Sequence, residues 1–140
     1  MYTGLRRSEL ASVEIDGDWI NLITAKQRKG IKDKPRSIPI SPMLKQILSF
    51  IDIEKIKTAS VGGLTNRFKN VCPNHHLHDL RHTFITRAQE CGIRREIVSL
   101  WSGHKADSSI TTNVYTHFQE HSELQMLEMQ KYNYTYTKLF

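Results

Sequence analysis

The sequence predicts an α+β fold in which a small antiparallel sheet precedes a mostly helical remainder. Three short segments near the N-terminus carry a strand pattern, and Asp16-Gly17 between the first two is a dipeptide that favours a hairpin turn. After Ser41-Pro42 the apolar residues change to a helical spacing, with the serine suited to cap a helix and the proline to its first position. We therefore expect a three-stranded sheet on one edge of a helical domain.

The three predicted strands rest on different local signals. Residues 13–15 and 19–23 flank the hairpin turn and are rich in apolar side chains that favour strands. Residues 36–40 alternate, and Pro39 within them indicates an edge strand, because proline cannot donate to the hydrogen-bond ladder. Between the last two strands lies a basic stretch, residues 26–34, which we expect to form the tip of a second hairpin.

Apolar residues at helical spacing predict most of the remaining elements. Helices are expected at residues 5–10, 42–51, 60–69, 79–91, 93–101, 108–116 and 120–131. Residues 52–58 are either a loop or a short helix. The tail from Tyr132 alternates tyrosine with small polar residues over residues 132–137, which predicts a strand.

Composition favours a nucleic-acid partner. The 140 residues include 20 Lys and Arg against 14 Asp and Glu, so the formal net charge is +6, and a basic balance suits a polyanion. A solvated basic surface is the alternative. Two cysteines, Cys72 and Cys91, give no disulfide framework and fit a reducing, cytoplasmic location. No apolar run approaches the roughly 20 residues of a membrane span, and the first residues carry no secretory pattern, so no membrane partner is expected.

Five residues form a set suited to phosphate chemistry: Arg6, His78, Arg81, His104 and Tyr115. Two guanidinium forks and hydrogen-bonding imidazoles can stabilise a pentacovalent phosphate, and a tyrosine can attack one. His78 and Arg81 are three residues apart at the start of a predicted helix, so they share a face near its positive end. Taken singly, each residue is more often a surface charge, a turn histidine or a packed tyrosine, so the hypothesis depends on their combination.

The order of these motifs resembles that in the catalytic domain of the tyrosine recombinases, also called the phage integrase family, over residues 2–118. The family pattern Gly-x-Arg-x-x-Glu is matched by Gly4, Arg6 and Glu9, which selects Arg6 rather than Arg7 as the first arginine. His-x-x-Arg and Gly-His patterns follow, and a Thr-Thr-x-x-Tyr segment contains the tyrosine. The resemblance implies that Glu9 is a buried acid that fixes Arg6.

The resemblance also implies a role for each residue of the set. Tyr115 would attack a backbone phosphate and form a 3′-phosphotyrosine, with Arg6 and Arg81 on the non-bridging oxygens. His104 would donate a further hydrogen bond to the phosphate, and His78 would assist proton transfer at the nucleophile. Because the phosphodiester energy is conserved in the covalent link, the implied reaction needs neither a metal nor a cofactor.

The family's general acid is a lysine on the hairpin between the second and third strands. Four lysines of the basic stretch are available: Lys26, Lys29, Lys32 and Lys34. Lys29, beside a glycine at the hairpin tip, is the preferred candidate, and Lys26, counted from the preceding strand, is the alternative. Most of these lysines are expected to contact phosphate without catalysing the reaction.

The resemblance implies a domain organisation and partners as well. Residues 1–140 would be a mostly helical catalytic domain that lacks its first helices and the N-terminal DNA-clamping domain, with residues 132–140 as a C-terminal tail. The partners would be double-stranded DNA and further copies of the chain, assembled as a tetramer on paired recombination sites, with the tail docked on another protomer. A topoisomerase-like enzyme that recloses the same strand and a non-catalytic DNA-binding remnant of an integrase are the alternatives.

Two features beside the His-x-x-Arg motif invite other interpretations. Residues 72–78 contain one cysteine and three histidines, but their spacing matches no standard structural zinc site, so no metal is expected. His82 directly follows Arg81 and is expected to turn toward the core as a structural residue.

Overall fold

The computed structural model describes residues 2–22, 36–103 and 122–133 of the 140-residue chain. These residues form helices and one three-stranded antiparallel sheet, so the mixed fold class predicted from the sequence is confirmed. Within these ranges, none of the helices has both the length and the apolar character needed to cross a membrane.

The sheet consists of strands β1 (Val13–Asp16), β2 (Trp19–Leu22) and β3 (Arg36–Pro39), in that order and antiparallel. The predicted hairpin joins β1 to β2 through a two-residue turn, in which Gly17 has a φ of 56° that favours glycine. β3 pairs only with β2 among the described strands, so Pro39 stands on an edge, as predicted.

A short 3₁₀ helix, Arg7–Ser12, precedes the sheet, where a short helix was predicted. The described residues after the sheet form six α-helices: α1 (Pro42–Leu48), α2 (Ile53–Thr58), α3 (Val61–Val71), α4 (Leu77–Glu90), α5 (Arg95–Ser102) and α6 (Glu123–Gln130). The open assignment at residues 52–58 is therefore a helix. The elements predicted at residues 26–34 and 108–116 lie outside the described residues.

Polar side chains at the helix starts satisfy backbone N–H groups that have no partner within the helix. Ser41 caps α1 as predicted, because its Oγ accepts the N–H of Leu44 at 3.3 Å. Asp52, Ser60 and Ser122 act in the same way at the starts of α2, α3 and α6. These caps fix where four of the helices begin.

The hydrophobic core lies between the sheet and the helices α4, α5 and α6. Its fully buried side chains include Ile38 of β3, Phe84 of α4 and Trp101 of α5. The indole Nε1 of Trp101 donates to Oε1 of Gln125 at 2.7 Å, so a buried hydrogen bond ties α6 to α5. The C-terminal end of α5 is thus held by both the sheet and α6.

Tyr132 corrects the prediction for the start of the C-terminal tail. It is 1% exposed and is not in a strand. Its ring lies against Phe84, with centroids 5.3 Å apart, and meets Tyr2 edge-on at 6.1 Å. Tyr132 therefore packs in the core of its own chain, and the docking of the tail on another protomer stays a prediction. Residues 134–140, the remainder of the predicted tail, lie outside the described residues.

Gly4 is required both by its backbone conformation and by its close approach to the core. Its φ is 62°, and a Cβ built on it would lie 2.5 Å from Cδ1 of the fully buried Phe84. Gly17 has a similar φ but open space around the same position. A side chain would therefore strain the backbone at either glycine, but only at Gly4 would it also clash with the core.

We expect Gly4→Ala to lower the free energy of unfolding by more than Gly17→Ala does. Gly17→Ala should cost about 1–2 kcal/mol, the strain of a left-handed alanine. Gly4→Ala should cost roughly 1–3 kcal/mol more, because the core around Phe84 must shift. Urea unfolding followed by circular dichroism measures both, and equal losses would show that the contact with Phe84 is unimportant.

Candidate functional site

One cavity brings together three residues of the predicted phosphate site. Arg6, His78 and Arg81 all line a cavity of about 550 Å³. The cavity lies among the segment 3–10, α3 and the start of α4. Two motifs separated by more than seventy positions in the sequence thus face the same space, which is the arrangement that the predicted chemistry requires. The rest of the lining is Thr3, Gly4, Leu5, Arg7, Ser8, Leu10, Leu64, Thr65, Phe68, Lys69, His76, Leu77 and Leu80.

The C-terminal end of α5 collects three arginine side chains. The carbonyl oxygens of residues 101–103 each accept a hydrogen bond from a different guanidinium. Arg36 Nε donates to the first of them at 2.9 Å, Arg81 Nη2 to the second, and Arg6 Nη2 to the third at 3.0 Å. The last carbonyls of a helix have no intrahelical partner and carry the negative end of its dipole, so they attract cations.

Gly103 ends α5 in a conformation that leaves room for one of these arginines. Its φ is 61°, in the left-handed region that favours glycine. A Cβ at this position would lie 2.6 Å from Nη1 of Arg36. A residue other than glycine would therefore strain the backbone and displace Arg36.

The Glu9 carboxylate holds two of the three arginines from the opposite side. Glu9 is 7% exposed. Its Oε1 lies 3.3 Å from Nη1 of Arg6, and its Oε2 lies 2.7 Å from Nη2 of Arg36. Oε2 also accepts the backbone N–H of Arg6 at 2.7 Å. Glu9 is thus a buried acid that holds Arg6, as the resemblance implies, and it also holds a second arginine.

The pKa of Glu9 is set by opposing influences. Burial is the largest single one and by itself would raise the pKa of the carboxyl. The hydrogen bonds from Arg36 and from the Arg6 backbone, together with the two guanidinium charges, outweigh burial and lower the pKa of Glu9 below its ordinary value. The carboxylate therefore stays ionised at neutral pH and can hold both arginines.

Arg81 is the deepest cation of the site. It is 3% exposed, and its Nη1 donates to the carbonyl of Gly4 at 2.6 Å. Burial, followed by repulsion from Arg6, lowers the pKa of Arg81 to about 10; Arg36 acts in the same direction, and Glu9 opposes them. Among the described residues, Glu9 is the one carboxylate in contact with this cluster, and it pairs with Arg6 and Arg36 but not with Arg81, so the three arginines and Glu9 together carry a net charge of +2. An anion in the cavity would relieve that repulsion.

His78 lies at the first turn of α4, on the exposed side of the cavity. Its ring meets that of His82 edge-on, with centroids 4.7 Å apart. The prediction that His82 turns toward the core is wrong, because His82 is exposed. Arg81 takes the core-facing position on this turn, in line with Phe84 three residues on, so the next residue faces solvent.

The start of α4 contributes less to anion binding than the sequence suggests. Oδ2 of Asp79 accepts the backbone N–H of His76 at 2.7 Å, and this hydrogen bond is the main cause that lowers the pKa of Asp79. A carboxylate of the chain itself thus occupies part of the positive end of the helix. The uncompensated charge of the cavity comes from the arginines.

The remaining predicted residues, Lys29, His104 and Tyr115, lie outside the described residues, as does the alternative acid Lys26. Arg36 is the residue of the cluster that sequence reasoning missed. Its only signal in the sequence is its place as the first residue of the predicted third strand. It follows a stretch with several other basic side chains, so nothing in the sequence singles it out.

Neither similarity to known proteins nor a metal-binding group among the described residues identifies a function for this site. No protein-family model, no curated protein and no solved structure matches the chain. In the ranges that the structure describes, which include residues 72–78, no three His, Cys, Asp or Glu side chains are grouped to hold a metal ion. The arginine cluster and the cavity are therefore the features of the described residues that bear on function.

We expect Glu9→Gln to lower the free energy of unfolding by roughly 3 kcal/mol at neutral pH, because Arg36 is left buried without its counter-charge. The pKa of Glu9 is lowered on folding, so its ionisation contributes stability that is fully present above the ordinary value of 4.5 and is lost as the pH falls through the folded-state pKa. The stability difference between wild type and Glu9→Gln should therefore shrink below pH 4.5.

Urea unfolding at a series of pH values measures this difference. Glu14→Gln, at an exposed position of β1, controls for the loss of one negative charge and should stay close to wild type. A gap between wild type and Glu9→Gln that is constant from pH 7 to pH 3 would contradict the assigned role of the ionised carboxylate.

Proposed function

We propose that this chain is the catalytic domain of a tyrosine-type site-specific DNA recombinase, which breaks and rejoins DNA strands through a 3′-phosphotyrosine intermediate. The observation that carries the proposal is the cavity shared by Arg6, His78 and Arg81. These are the three described residues of the predicted catalytic set. A surface charge pair or a structural histidine would not need to face the same space as a second, distant arginine.

The electrostatics of the cavity suit a phosphodiester. Arg6 is held by Glu9 and by the end of α5, yet 41% of its side chain is exposed, so its guanidinium is both fixed and accessible. Arg81 forms part of the buried wall behind it. Donors that are fixed before the reaction stabilise charge as it develops on the non-bridging oxygens, because they need no reorganisation.

In the proposed reaction, the Tyr115 hydroxyl attacks the phosphorus, and the bond from phosphorus to the 5′ oxygen breaks. A phenol free in water has a pKa near 10, so the tyrosine must lose its proton during attack, and His78 assists that transfer. His104 donates to a non-bridging oxygen. The leaving 5′ oxygen takes a proton from Lys29, with Lys26 as the alternative donor.

Rejoining reverses these steps with a different strand. The 5′-hydroxyl of the second strand attacks the phosphotyrosine, the tyrosine leaves, and the phosphodiester is restored in a new pairing. Exchange between two duplexes requires several active sites, so the proposed assembly is a tetramer on paired sites. The net charge of +6 suits the DNA backbone, and Arg7 and Lys69 extend the positive lining of the cavity.

We expect the chain to form a covalent adduct with DNA that depends on Tyr115. The chain is incubated with a pool of nicked duplexes of random sequence, which trap the intermediate because the short 5′ end diffuses away. Adducts are separated on a denaturing gel. Tyr115→Phe should abolish the adduct, and Arg6→Ala should slow its formation by about a hundredfold or more, the effect of one well-placed donor on a transition state.

Arg7→Ala is the matched control for Arg6→Ala. Arg7 is adjacent in sequence and also lines the cavity, but its Nη1 bonds the hydroxyl of Thr65 at 2.9 Å on the exposed side. It should affect binding modestly and the cleavage rate little. An adduct that survives Tyr115→Phe contradicts the assignment of the nucleophile. DNA binding without any adduct favours a non-catalytic remnant, and plasmid relaxation without exchange between duplexes favours a topoisomerase-like enzyme.

A further inference from the structure

Arg36 is a buried cation whose two hydrogen bonds to described residues both belong to the arginine cluster. It is the first residue of β3 and pairs across the sheet with Leu22 at the last described rung of that ladder. Its side chain is 9% exposed. Nη2 lies 2.7 Å from Oε2 of Glu9, and Nε donates to the carbonyl of Trp101 at 2.9 Å. One guanidinium therefore links β3 to the 3₁₀ helix and to the end of α5.

Each contact of Arg36 lies beside a contact that holds a cavity arginine. The other oxygen of Glu9 holds Arg6. The two carbonyls that follow Trp101 hold Arg81 and Arg6. Arg36 itself is not one of the described residues that line the cavity. It can therefore influence a ligand there through Glu9 and α5 rather than by touching it.

We propose that Arg36 is a positioning residue for the anion site, which orients Glu9 and the end of α5 so that Arg6 and Arg81 face the bound phosphate. The role of Arg36 in positioning an anion is inferred from the geometry alone, whereas any role of Arg36 in DNA strand cleavage rests on the proposed function. Arg36 thereby couples the edge strand of the sheet to the geometry of the site.

The geometry requires an arginine rather than any cation. The Nε and Nη2 donors of one planar guanidinium reach Trp101 and Glu9 at the same time. A lysine ammonium is a single point charge and has no such rigid fork, so Arg36→Lys keeps the charge while it loses one of the two contacts. The effect of the positive charge can therefore be separated by experiment from the effect of the two-donor guanidinium geometry.

The test is a double-mutant cycle on the affinity for inorganic phosphate, measured by isothermal titration calorimetry at constant ionic strength. The proteins are wild type, Arg36→Gln, Arg36→Lys, Glu9→Gln and the double variant Arg36→Gln with Glu9→Gln. Arg95→Gln, at the exposed first position of α5, is the control for net charge. Circular dichroism and thermal melting of each variant establish that the folded protein is being titrated.

We expect Arg36→Gln to weaken phosphate binding by about tenfold or more, as expected when a hydrogen bond to a charged group is lost. Arg36→Lys should fall between this variant and wild type, and Arg95→Gln should match wild type. In the Glu9→Gln background, Arg36→Gln should weaken binding clearly less than it does in wild type, because Glu9, one of the two partners through which it acts, is already gone. If Arg36→Gln fails to fold, Arg36→Lys alone in both backgrounds gives the same comparison.

Three outcomes with the variants overturn the positioning role. An equal loss of affinity in both backgrounds, or a lysine variant that binds as wild type does, would indicate an effect of bulk charge. An unchanged affinity in a folded Arg36→Gln would indicate an arginine with a purely structural role. Absence of phosphate binding by wild type overturns it as well. The proposed function fails separately: a chain that shows the coupling but forms no Tyr115 adduct retains the positioning role and loses the recombinase assignment.

Discussion

The carbonyl groups at the end of α5, which have no partner within the helix, are the constraint on which the site depends. A helix that ends at residue 102 must satisfy its last carbonyls outside the helix, and here residues 101–103 do so with three guanidinium groups. Those side chains come from the segment before the sheet, from β3 and from α4. The end of one helix thus fixes the relative positions of three other parts of the chain.

This arrangement concentrates positive charge in a region with little solvent. Glu9 offsets part of it, and the core around Trp101, Phe84 and Tyr132 holds the surrounding elements in place. Packing therefore supplies the stability that allows like charges to stay together, and the remaining positive charge faces the cavity through Arg6 and Arg81. Residues held in an arrangement that is electrostatically costly without a ligand are characteristic of functional sites.

The parts of the site that could be predicted from sequence are those fixed by local geometry. The match of Gly4, Arg6 and Glu9 to the family pattern implied that Glu9 fixes Arg6, and in the structure the Glu9 carboxylate contacts the backbone and the guanidinium of Arg6, three residues away. The strands, the hairpin at Asp16-Gly17 and the cap at Ser41 likewise depend on neighbours within a few residues. Such patterns can be recognised in the sequence because the residues that interact are close together in the chain.

The errors arose where distant residues decide the outcome. Arg36 could not be selected from its neighbours because its partners are 27 and 65 positions away. Helical spacing from the buried Phe84 places Arg81 rather than His82 on the inner side, and carbonyl acceptors in other elements satisfy the buried guanidinium. The alternating tail predicted a strand at Tyr132, but its aromatic side chain is buried against Phe84 in the core instead.

A crystal structure of the chain grown with orthovanadate, an analogue of the pentacovalent phosphate, tests the central claim most directly. Vanadate should bind in the cavity within hydrogen-bond distance of Arg6 and near His78. The guanidinium groups of Arg6, Arg36 and Arg81 should keep their contacts with the carbonyls of residues 101–103. Vanadate bound elsewhere, or three guanidinium groups directed away from the end of α5, would contradict the account.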